Sequence, residues 1–244
     1  SLPTPTTMAH AYPRLSLFTL TAGLLAATAF GQPGTKDPTF VTGSGFEAVN
    51  VWDQEVSALV LQPDGKLLVG GAFNTYNGVA RNRIARLEVN GALDTGFDPG
   101  SGINSGQPYW GATALALQPD GKVLVGGHFT TFNGTPKGAL VRLNADGSLD
   151  PGFGTAAGFV GNSYVYALAV CADGKVLVAG QFQDYEGHAC HNLIRLTAEG
   201  AFDPTFDPGT GPSEVIYTMA LRADQRILIG GAFDHFNGVP VGFF

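Results

Sequence analysis

The chain has 244 residues, of which 44% are hydrophobic and only 14% are charged, with 35 glycines and 15 prolines. This composition allows a substantial apolar core and favours many short strands joined by turns. The formal net charge of −7 argues against a nucleic-acid backbone or an anionic membrane surface as the partner.

The N-terminal region has the pattern of an export signal. Residues 1–7 precede the first methionine, Met8, and are interpreted as lying upstream of the native start. Arg14 precedes an uncharged apolar run at 15–29, which ends in an Ala-Thr-Ala cleavage pattern. The run is shorter than the ~20 apolar residues of a transmembrane helix, so a membrane anchor is the less favoured alternative. We predict a signal peptide at 8–29, a linker at 30–35, a secreted or cell-surface protein, and no membrane span in the mature chain.

A motif repeats in tandem after this leader. The segments 59–78, 115–134, 168–187 and 219–238 align on a turn aspartate at 64, 120, 173 and 224, in steps of 56, 53 and 51 residues. A near-constant period indicates one supersecondary unit copied along the chain. We place the units at 36–92, 93–148, 149–201 and 202–244.

Each unit is predicted to contain four short antiparallel strands, A to D. In the second unit, residues 113–118 form strand A, 122–129 strand B, 139–144 strand C, and strand D lies around 149–153. The A–B turn residues are expected to be structural: Asp64, Gly65, Asp120, Gly121, Asp173 and Gly174. Paired glycines at 70–71, 126–127 and 230–231 predict tight packing or a bulge in strand B.

Strand A is apolar on both faces, which indicates small sheets covered on both sides by further copies of themselves. The predicted fold class is therefore all-β: a β-propeller built from tandem four-stranded blades of 51–56 residues. The fourth unit stops before its strand C, so we expect a fragment of a longer array, a partial propeller in which about four blades are visible.

The motif order resembles the delta-60 repeat family. The residues that carry the resemblance are LxLQPDGKxLVGGxF, an NG pair, an (I/V)xRL strand, a D/N-G turn and a closing LDxxFxPGxG. The resemblance covers about residues 36–244, although Cys171 and Ala172 replace Gln-Pro in the third unit and Gln225 replaces the turn glycine in the fourth. It implies β-propeller-like repeats of bacterial surface or secreted proteins, with no established catalytic residues.

The antiparallel order places the A–B and C–D turns on one rim and the B–C and D–A loops on the other. The turns of the first rim are nearly identical and predict a scaffold, whereas the second rim varies and is the candidate binding surface. Its candidate residues are Trp52, Tyr109, Trp110, Tyr164, His188 and His191. For the aromatic residues we favour packing between blades over ligand contact, because large aromatic side chains are mostly buried.

Two segments of the sequence are similar to ion-binding sites. His188, Cys190 and His191 lack the second ligand pair of a zinc site, so no metal ligand is predicted there. The spacing of Asn144, Asp146 and Asp150 is similar to a calcium loop, but a hairpin turn explains it equally well.

The two cysteines are predicted to be free thiols. Cys171 and Cys190 fall at opposite ends of strand B. Eight strand residues span about 26 Å, whereas a disulfide needs Cα atoms within about 7 Å of each other.

A recurring charge pattern predicts ion pairs inside each blade. An arginine precedes an aspartate by eight residues in three units: Arg86 and Asp94, Arg142 and Asp150, Arg195 and Asp203. Folding about the C–D turn brings each pair to adjacent positions, and a structural device is expected to repeat.

No catalytic motif was found and no cofactor is predicted. We predict a binding, adhesion or structural-display module with an unknown protein or carbohydrate ligand, and not an enzyme. The alternative is an extracellular propeller enzyme, a glycan hydrolase or lyase with carboxylates in the central channel. The inner strands A are predicted to present only Ala, Leu, Val, Met and Thr, which favours binding.

Overall fold

Every regular element in the described part of the chain is a β-strand. The computed structural model describes residues 35, 37–48, 55–104, 106, 111–154 and 158–242, nearly all within the compact unit 38–244. The strands are β1 (Phe46–Glu47), β2 (Val56–Leu61), β3 (Leu67–Gly71), β4 (Thr75–Tyr76), β5 (Val79–Ala80), β6 (Ile84–Leu87), β7 (Ile103–Asn104), β8 (Ala112–Leu117), β9 (Val123–Gly127), β10 (Thr131–Phe132), β11 (Thr135–Pro136), β12 (Leu140–Leu143), β13 (Tyr164–Val170), β14 (Val176–Gln181), β15 (Asp184–Tyr185), β16 (His188–Ala189), β17 (Leu193–Leu196), β18 (Ile216–Leu221), β19 (Ile227–Gly231), β20 (His235–Phe236) and β21 (Val239–Pro240). Within these ranges no apolar helix reaches membrane-spanning length.

Blades 1, 2 and 3 are three-stranded antiparallel sheets in the order A-B-C: β2-β3-β6, β8-β9-β12 and β13-β14-β17. Blade 4 pairs β18 as strand A with β19 as strand B. The predicted all-β architecture of propeller blades is confirmed, but strand D was predicted too long. It is reduced to single bridges, Leu87 with Leu93, Leu143 with Leu149, and Leu196 with Phe202.

The chain leaves the sheet after this bridge because of an aspartate. Asp94 Oδ1 accepts a hydrogen bond of 2.8 Å from the backbone N–H of Gly96, and Asp150 and Asp203 make the same contact with the residue two positions on. An aspartate that binds the backbone two residues ahead bends the chain into a turn. A fourth strand cannot continue through that turn.

The A–B turns combine one aspartate with one glycine. Asp64 Oδ1 accepts from the N–H of Lys66 at 3.1 Å, while Gly65 takes φ +84°. Asp120 with Gly121 and Asp173 with Gly174 repeat this arrangement. Glycine tolerates this positive φ without a steric cost, whereas the fourth blade holds Gln225 at φ +64°.

The glycine pair at the end of strand B faces a bulge in strand A. In blade 2 the register shifts between Ala112 and Ala114, which leaves Thr113 as an extra residue opposite Gly126 and Gly127. A Cβ on Gly127 would lie 2.0 Å from the carbonyl oxygen of Gly111. The same shift occurs in the other three blades, including blade 3, which has Ala179 and Gly180 in place of the glycine pair. The paired glycines predicted tight packing or a bulge in strand B, whereas the extra residue lies in strand A.

The B–C loops are hairpins rather than irregular loops. In blade 1, β4 and β5 are joined by Asn77 at φ 49° and Gly78 at φ 76°, the two positive values that an Asn-Gly hairpin turn requires. The D–A segment adds a strand to this hairpin, with β1 pairing β4 and β7 pairing β10. These two kinds of loop therefore meet on one rim.

Each predicted Arg–Asp ion pair is present, and a lysine contacts the same aspartate. In blade 1, Arg86 Nε lies 2.6 Å and Lys66 Nζ 2.8 Å from Asp94 Oδ2. The equivalent groups are Arg142, Lys122 and Asp150 in blade 2, and Arg195, Lys175 and Asp203 in blade 3. The arginine also lies over a phenylalanine ring, 5.0 Å from the centroid of Phe97 in blade 1. We call each group a Lys–Asp–Arg cluster.

Two of these arginines connect neighbouring blades. Arg86 donates to the carbonyl of Ala145, in the C–D turn of blade 2, at 2.7 Å. Arg142 donates in the same way to Ala198, in the C–D turn of blade 3. We call the rim formed by the A–B and C–D turns the turn rim. Polar contacts along this rim link blade 1 to blade 2 and blade 2 to blade 3.

The apolar core lies between blades. Leu68 and Ile84 of blade 1 share a buried cluster with Ala112 and Val123 of blade 2. A second cluster joins blades 2 and 3, and a third joins blades 3 and 4. Blades 2 and 3 therefore bury both faces against their neighbours, as expected for stacked small sheets.

Candidate functional site

Strand A of each blade lies beside strand A of the next, so the four strands A form the inner lining of the array. Their sequences are VSALVL, ATALAL, YVYALAV and IYTMAL. The prediction of only Ala, Leu, Val, Met and Thr was therefore wrong in blade 1, which has Ser57, and in blades 3 and 4, where tyrosines are present. Tertiary structure makes Tyr166 and Tyr217 neighbours, although they lie 51 positions apart in sequence.

Aromatic rings form a continuous row along this lining. The ring of Tyr166 stacks on Tyr164 with centroids 5.8 Å apart, and its other neighbour is Tyr217 at 5.6 Å in an edge-on arrangement. His128, which follows strand B of blade 2, stacks on Tyr164 at 4.1 Å. We call Tyr164, Tyr166 and Tyr217, with His128 at the end, the tyrosine row.

The bulge in strand A explains why the tyrosines point to this side. The extra residue at the register shift is Ser57 in blade 1, Thr113 in blade 2, Tyr166 in blade 3 and Tyr217 in blade 4. A bulged residue is released from the regular alternation of the sheet, and its side chain is redirected. Tyr166 and Tyr217 thus occupy one structural position in two consecutive blades.

In the first two blades, the hydroxyl group at this position donates a hydrogen bond within the protein. The Ser57 hydroxyl donates to Glu55 Oε1 at 3.0 Å, and the Thr113 hydroxyl donates to the Val165 carbonyl at 2.6 Å. Tyr217 instead exposes 56% of its surface to solvent. The repeat therefore tolerates a small residue here, and the tyrosines add an accessible aromatic surface.

The surroundings of Tyr166 and His128 in the tyrosine row favour their uncharged forms. Burial, together with the neighbouring Tyr164 and Tyr217, raises the pKa of Tyr166 above its ordinary value. Burial also lowers the pKa of His128, although the hydrogen bond between its Nε2 and Asn162 Oδ1, 2.9 Å long, opposes this shift. A histidine with a pKa below its usual 6.5 is mostly neutral at pH 7. The row therefore suits stacking and neutral hydrogen bonds.

The four strands A carry no acidic residue. The alternative of a glycan hydrolase or lyase needs a pair of carboxylates at the reacting bond. Asp94, Asp150 and Asp203 instead lie in the Lys–Asp–Arg clusters of the turn rim. Lysine and arginine side chains pair with their carboxylates there.

Of the predicted binding residues, Tyr164 belongs to the tyrosine row. Trp52, Tyr109 and Trp110 lie outside the described residues. His188 is exposed on the hairpin of blade 3 and stacks on Phe202 at 4.3 Å. His191 is exposed nearby, with its Nδ1 3.1 Å from Gln183 Oε1. The two histidines thus contact different neighbours.

The ion-binding patterns contain groups that already have protein partners. Asp146 Oδ1 accepts from the backbone and hydroxyl of Ser148, and these hydrogen bonds lower the pKa of Asp146. Asp150 accepts from Arg142 and Lys122. Among the described residues, no group of three or more His, Cys, Asp or Glu side chains is arranged to hold a metal ion.

The cysteines are both unpaired thiols. Cys190 is buried in the core between blades 2 and 3, and this burial raises the pKa of its thiol to about 12. Cys171 is half-buried beside its A–B turn, and burial raises its pKa as well. Neither thiol has the low pKa of a reactive cysteine.

The tyrosine row was missed in the sequence because the tyrosines were not compared across repeats. Aligned on the turn aspartate, residue 166 and residue 217 are seven positions before Asp173 and Asp224. At the same distance before Asp64 and Asp120 the chain has serine and threonine. This departure from the repeat was a readable signal.

Comparison with solved structures gives partial likenesses at low identity. Two of these structures are of an extracellular domain from B. thetaiotaomicron, described as part of a putative one-component system and of a putative hybrid two-component system. Each alignment covers 73% of this chain and 20% of the matched chain. The sequence identities are 14% and 16%, and the TM-scores are 0.42 and 0.44. PorZ, a surface component of the type-IX secretion system of Porphyromonas gingivalis, matches 69% of this chain and 23% of its own, with 16% identity and a TM-score of 0.33. The chain thus spans about a fifth of the length of these proteins.

A comparison with curated proteins gives no match. The family model for the domain of unknown function DUF5122, a β-propeller, matches residues 62–97, 118–153 and 171–206. Each match begins at the A–B turn of a blade and ends at the phenylalanine of its Asp-x-x-Phe turn. Three tandem stretches of the chain are therefore similar to this β-propeller family model, in agreement with the resemblance to the delta-60 repeats.

Proposed function

We propose that this chain is a secreted or cell-surface β-propeller module that binds a protein or carbohydrate ligand, in an adhesion or display role. The observation that carries the proposal is the tyrosine row, which replaces the small residue of the repeat in two consecutive blades.

The contrast between the blades supports a binding role for the row. Blade 2 forms the same bulged sheet with Thr113, so the fold does not require an aromatic side chain at this position. Tyrosine combines a large apolar ring with a hydroxyl that stays in water, which is why it is common in binding surfaces. An exposed Tyr217 stabilises the isolated chain little, whereas it would contribute strongly once a ligand covers it.

Export is the second part of the proposal, and it rests on the leader pattern at 8–29. In this scheme the signal peptide is removed, residues 30–35 form a linker and residues 36–244 carry the repeats. The ligand is then met outside the cytoplasm.

The test is a screen of immobilised glycans and extracellular proteins with the wild type and with the double variant Tyr166→Thr/Tyr217→Thr. This variant restores the residue that blade 2 has at the same position. We expect its circular dichroism and urea midpoint to match the wild type while the wild-type hits are lost. Val89→Thr is the control, because Val89 is 64% exposed but lies on the turn rim. A wild type without hits, or hits that survive the double substitution, would contradict the proposal.

A further inference from the structure

A small cavity lies at the end of the tyrosine row, between blades 2 and 3. It has a volume of about 210 Å³ and is lined on one side by residues 128–130 and 136–139 of blade 2. Its other wall belongs to the segment 159–163, which leads into strand A of blade 3. Among the lining residues, Thr130 and Val160 are exposed to solvent. The cavity therefore opens on the rim formed by the B–C and D–A loops.

Three polar residues that line the cavity are more than nine-tenths buried. The exposed fraction is 8% for His128, 8% for Lys137 and 5% for Ser163. Lys137 Nζ donates to the Phe153 carbonyl at 3.3 Å, and the Ser163 hydroxyl donates to the Val160 carbonyl at 2.7 Å. An ammonium, an imidazole and a hydroxyl each support more than one hydrogen bond. The cavity is thus equipped to hold a polar group, which an apolar cavity would exclude.

The combination of histidine and lysine at this cavity is specific to blade 2. His128 lies eight positions after its turn aspartate, where blade 1 has Ala72. Lys137 lies 17 positions after the same aspartate, where blade 1 has Arg81 and blade 3 has Cys190. Blades 1 and 3 nevertheless form the same B–C hairpin. The fold therefore does not require His128 or Lys137, just as it does not require the tyrosines of the row.

His128 belongs both to the cavity and to the tyrosine row. Its ring stacks on Tyr164 with centroids 4.1 Å apart, and its Nε2 lies 2.9 Å from Asn162 Oδ1. On the opposite wall of the cavity, Ser163 directly precedes Tyr164 in sequence. A ligand held in the cavity therefore lies next to the ring of Tyr164.

The size and chemistry of the cavity favour one sugar residue of a longer ligand. Pockets for drug-sized ligands have volumes of ~300–1,000 Å³, so this cavity accommodates only one small group. A sugar has apolar C–H faces and a rim of hydroxyl groups that donate and accept hydrogen bonds. Its hydroxyls match His128, Lys137 and Ser163, while the faces of adjoining sugars match the rings of Tyr164 and Tyr166. A protein ligand would instead place an apolar anchor in an apolar pocket.

We propose that the ligand of the tyrosine row is a glycan and that this cavity binds one of its sugar residues. The inference rests on the proposed function and narrows its ligand from protein or carbohydrate to carbohydrate. His128, Lys137 and Ser163 then determine which sugar is accepted. A sugar with the wrong pattern of hydroxyls leaves a buried donor or acceptor without its partner, and such a mismatch is strongly penalised.

The test is a calorimetric titration of the full 244-residue chain with neutral trisaccharides of glucose, galactose, mannose, xylose and N-acetylglucosamine. We expect the wild type to bind at least one of them. Lys137→Met keeps the apolar part of the side chain but removes the ammonium, and it should weaken this binding about tenfold. His128→Ala restores the residue of blade 1 and should weaken binding at least as much, because it also removes the ring beside Tyr164.

His188→Ala is the matched control, because His188 is an exposed histidine on the hairpin of blade 3 and lies outside the cavity lining. This variant should bind like the wild type, and circular dichroism verifies the fold of each variant. A panel without any binding overturns the glycan assignment, whereas the proposed function is still judged by the protein hits of its own screen. Trisaccharide binding that is lost in Tyr166→Thr/Tyr217→Thr but kept in Lys137→Met and His128→Ala overturns the role of the cavity and leaves the proposed function standing.

Discussion

Asp94 is the residue whose replacement tests the Lys–Asp–Arg cluster most directly. Its carboxylate is 6% exposed and lies within hydrogen-bond distance of Lys66 Nζ, Arg86 Nε and the N–H of Gly96. Burial alone would raise the pKa of Asp94, but these three hydrogen bonds outweigh it and lower the pKa from 3.8 to about 2. The charged carboxylate is therefore stabilised by the folded state.

The size of the effect follows from this pKa. A difference of nearly two pH units between the unfolded and folded pKa corresponds to about 2 kcal/mol of stability at neutral pH. Asp94→Asn also leaves Arg86 without its counter-charge, while Lys66 can turn toward water. We expect the free energy of unfolding to fall by about 2–3 kcal/mol at pH 7.

The pH dependence gives the sign of the effect. Because the folded pKa of Asp94 is below the unfolded one, its stabilisation is present above about pH 4 and is lost as the pH falls toward 2. The difference between the wild type and Asp94→Asn in urea unfolding, followed by circular dichroism, should therefore shrink over that range.

The matched control is Glu88→Gln. Glu88 contacts the same Lys66 nitrogen at 2.9 Å, but its side chain is 39% exposed. Exposed ion pairs contribute little, so this substitution should cost less than about 0.5 kcal/mol. The reasoning fails if the two substitutions cost the same, or if the cost of Asp94→Asn does not change with pH.

Three further predictions concern the scaffold. Gly127→Ala should lower the free energy of unfolding by about 3 kcal/mol or more in urea, because the new Cβ meets a backbone carbonyl. Gly134→Ala should cost only about 1–2 kcal/mol, because Gly134 has a φ of +74° but no atom within 4 Å of the new Cβ. Equal costs would contradict the close-packed bulge. Tyr185→Phe should cost about 1–2 kcal/mol in the same assay, since it removes a buried hydrogen bond of 2.6 Å to a backbone carbonyl; an unchanged midpoint would show that bond to be unimportant. In thiol labelling monitored by mass spectrometry, Cys171 should react before Cys190, because Cys190 is buried and its pKa is raised to about 12; simultaneous labelling of the folded protein would refute its burial.

The sequence predicted the repeating scaffold well because that scaffold depends on local chemistry. Asp64 with Gly65 determines the A–B turn, and the glycines before residue 72 mark the bulge in strand A. The pairing of Arg86 with Asp94 followed from a spacing of eight residues across a hairpin. Each of these features is specified within a short stretch of chain and appears in every unit where the stretch is intact.

The features that the sequence did not predict depend on competition or on tertiary structure. Strand D is shortened because the side chain of Asp94 binds the backbone in competition with the sheet. The B–C hairpin could have been recognised from Asn77 and Gly78, but its pairing with the D–A segment joins parts of the chain that are distant in sequence. The contact between Tyr166 and Tyr217 requires the register of two separate sheets.

The proposed separation of scaffold and binding surface is tested most directly by amide hydrogen exchange with and without a ligand from the screen. The account predicts that the ligand slows exchange in β13 and β18, which carry the tyrosine row, and leaves the turn rim around Asp64 and Asp120 unchanged. Protection centred on the turn rim, with none in these two strands, would contradict it.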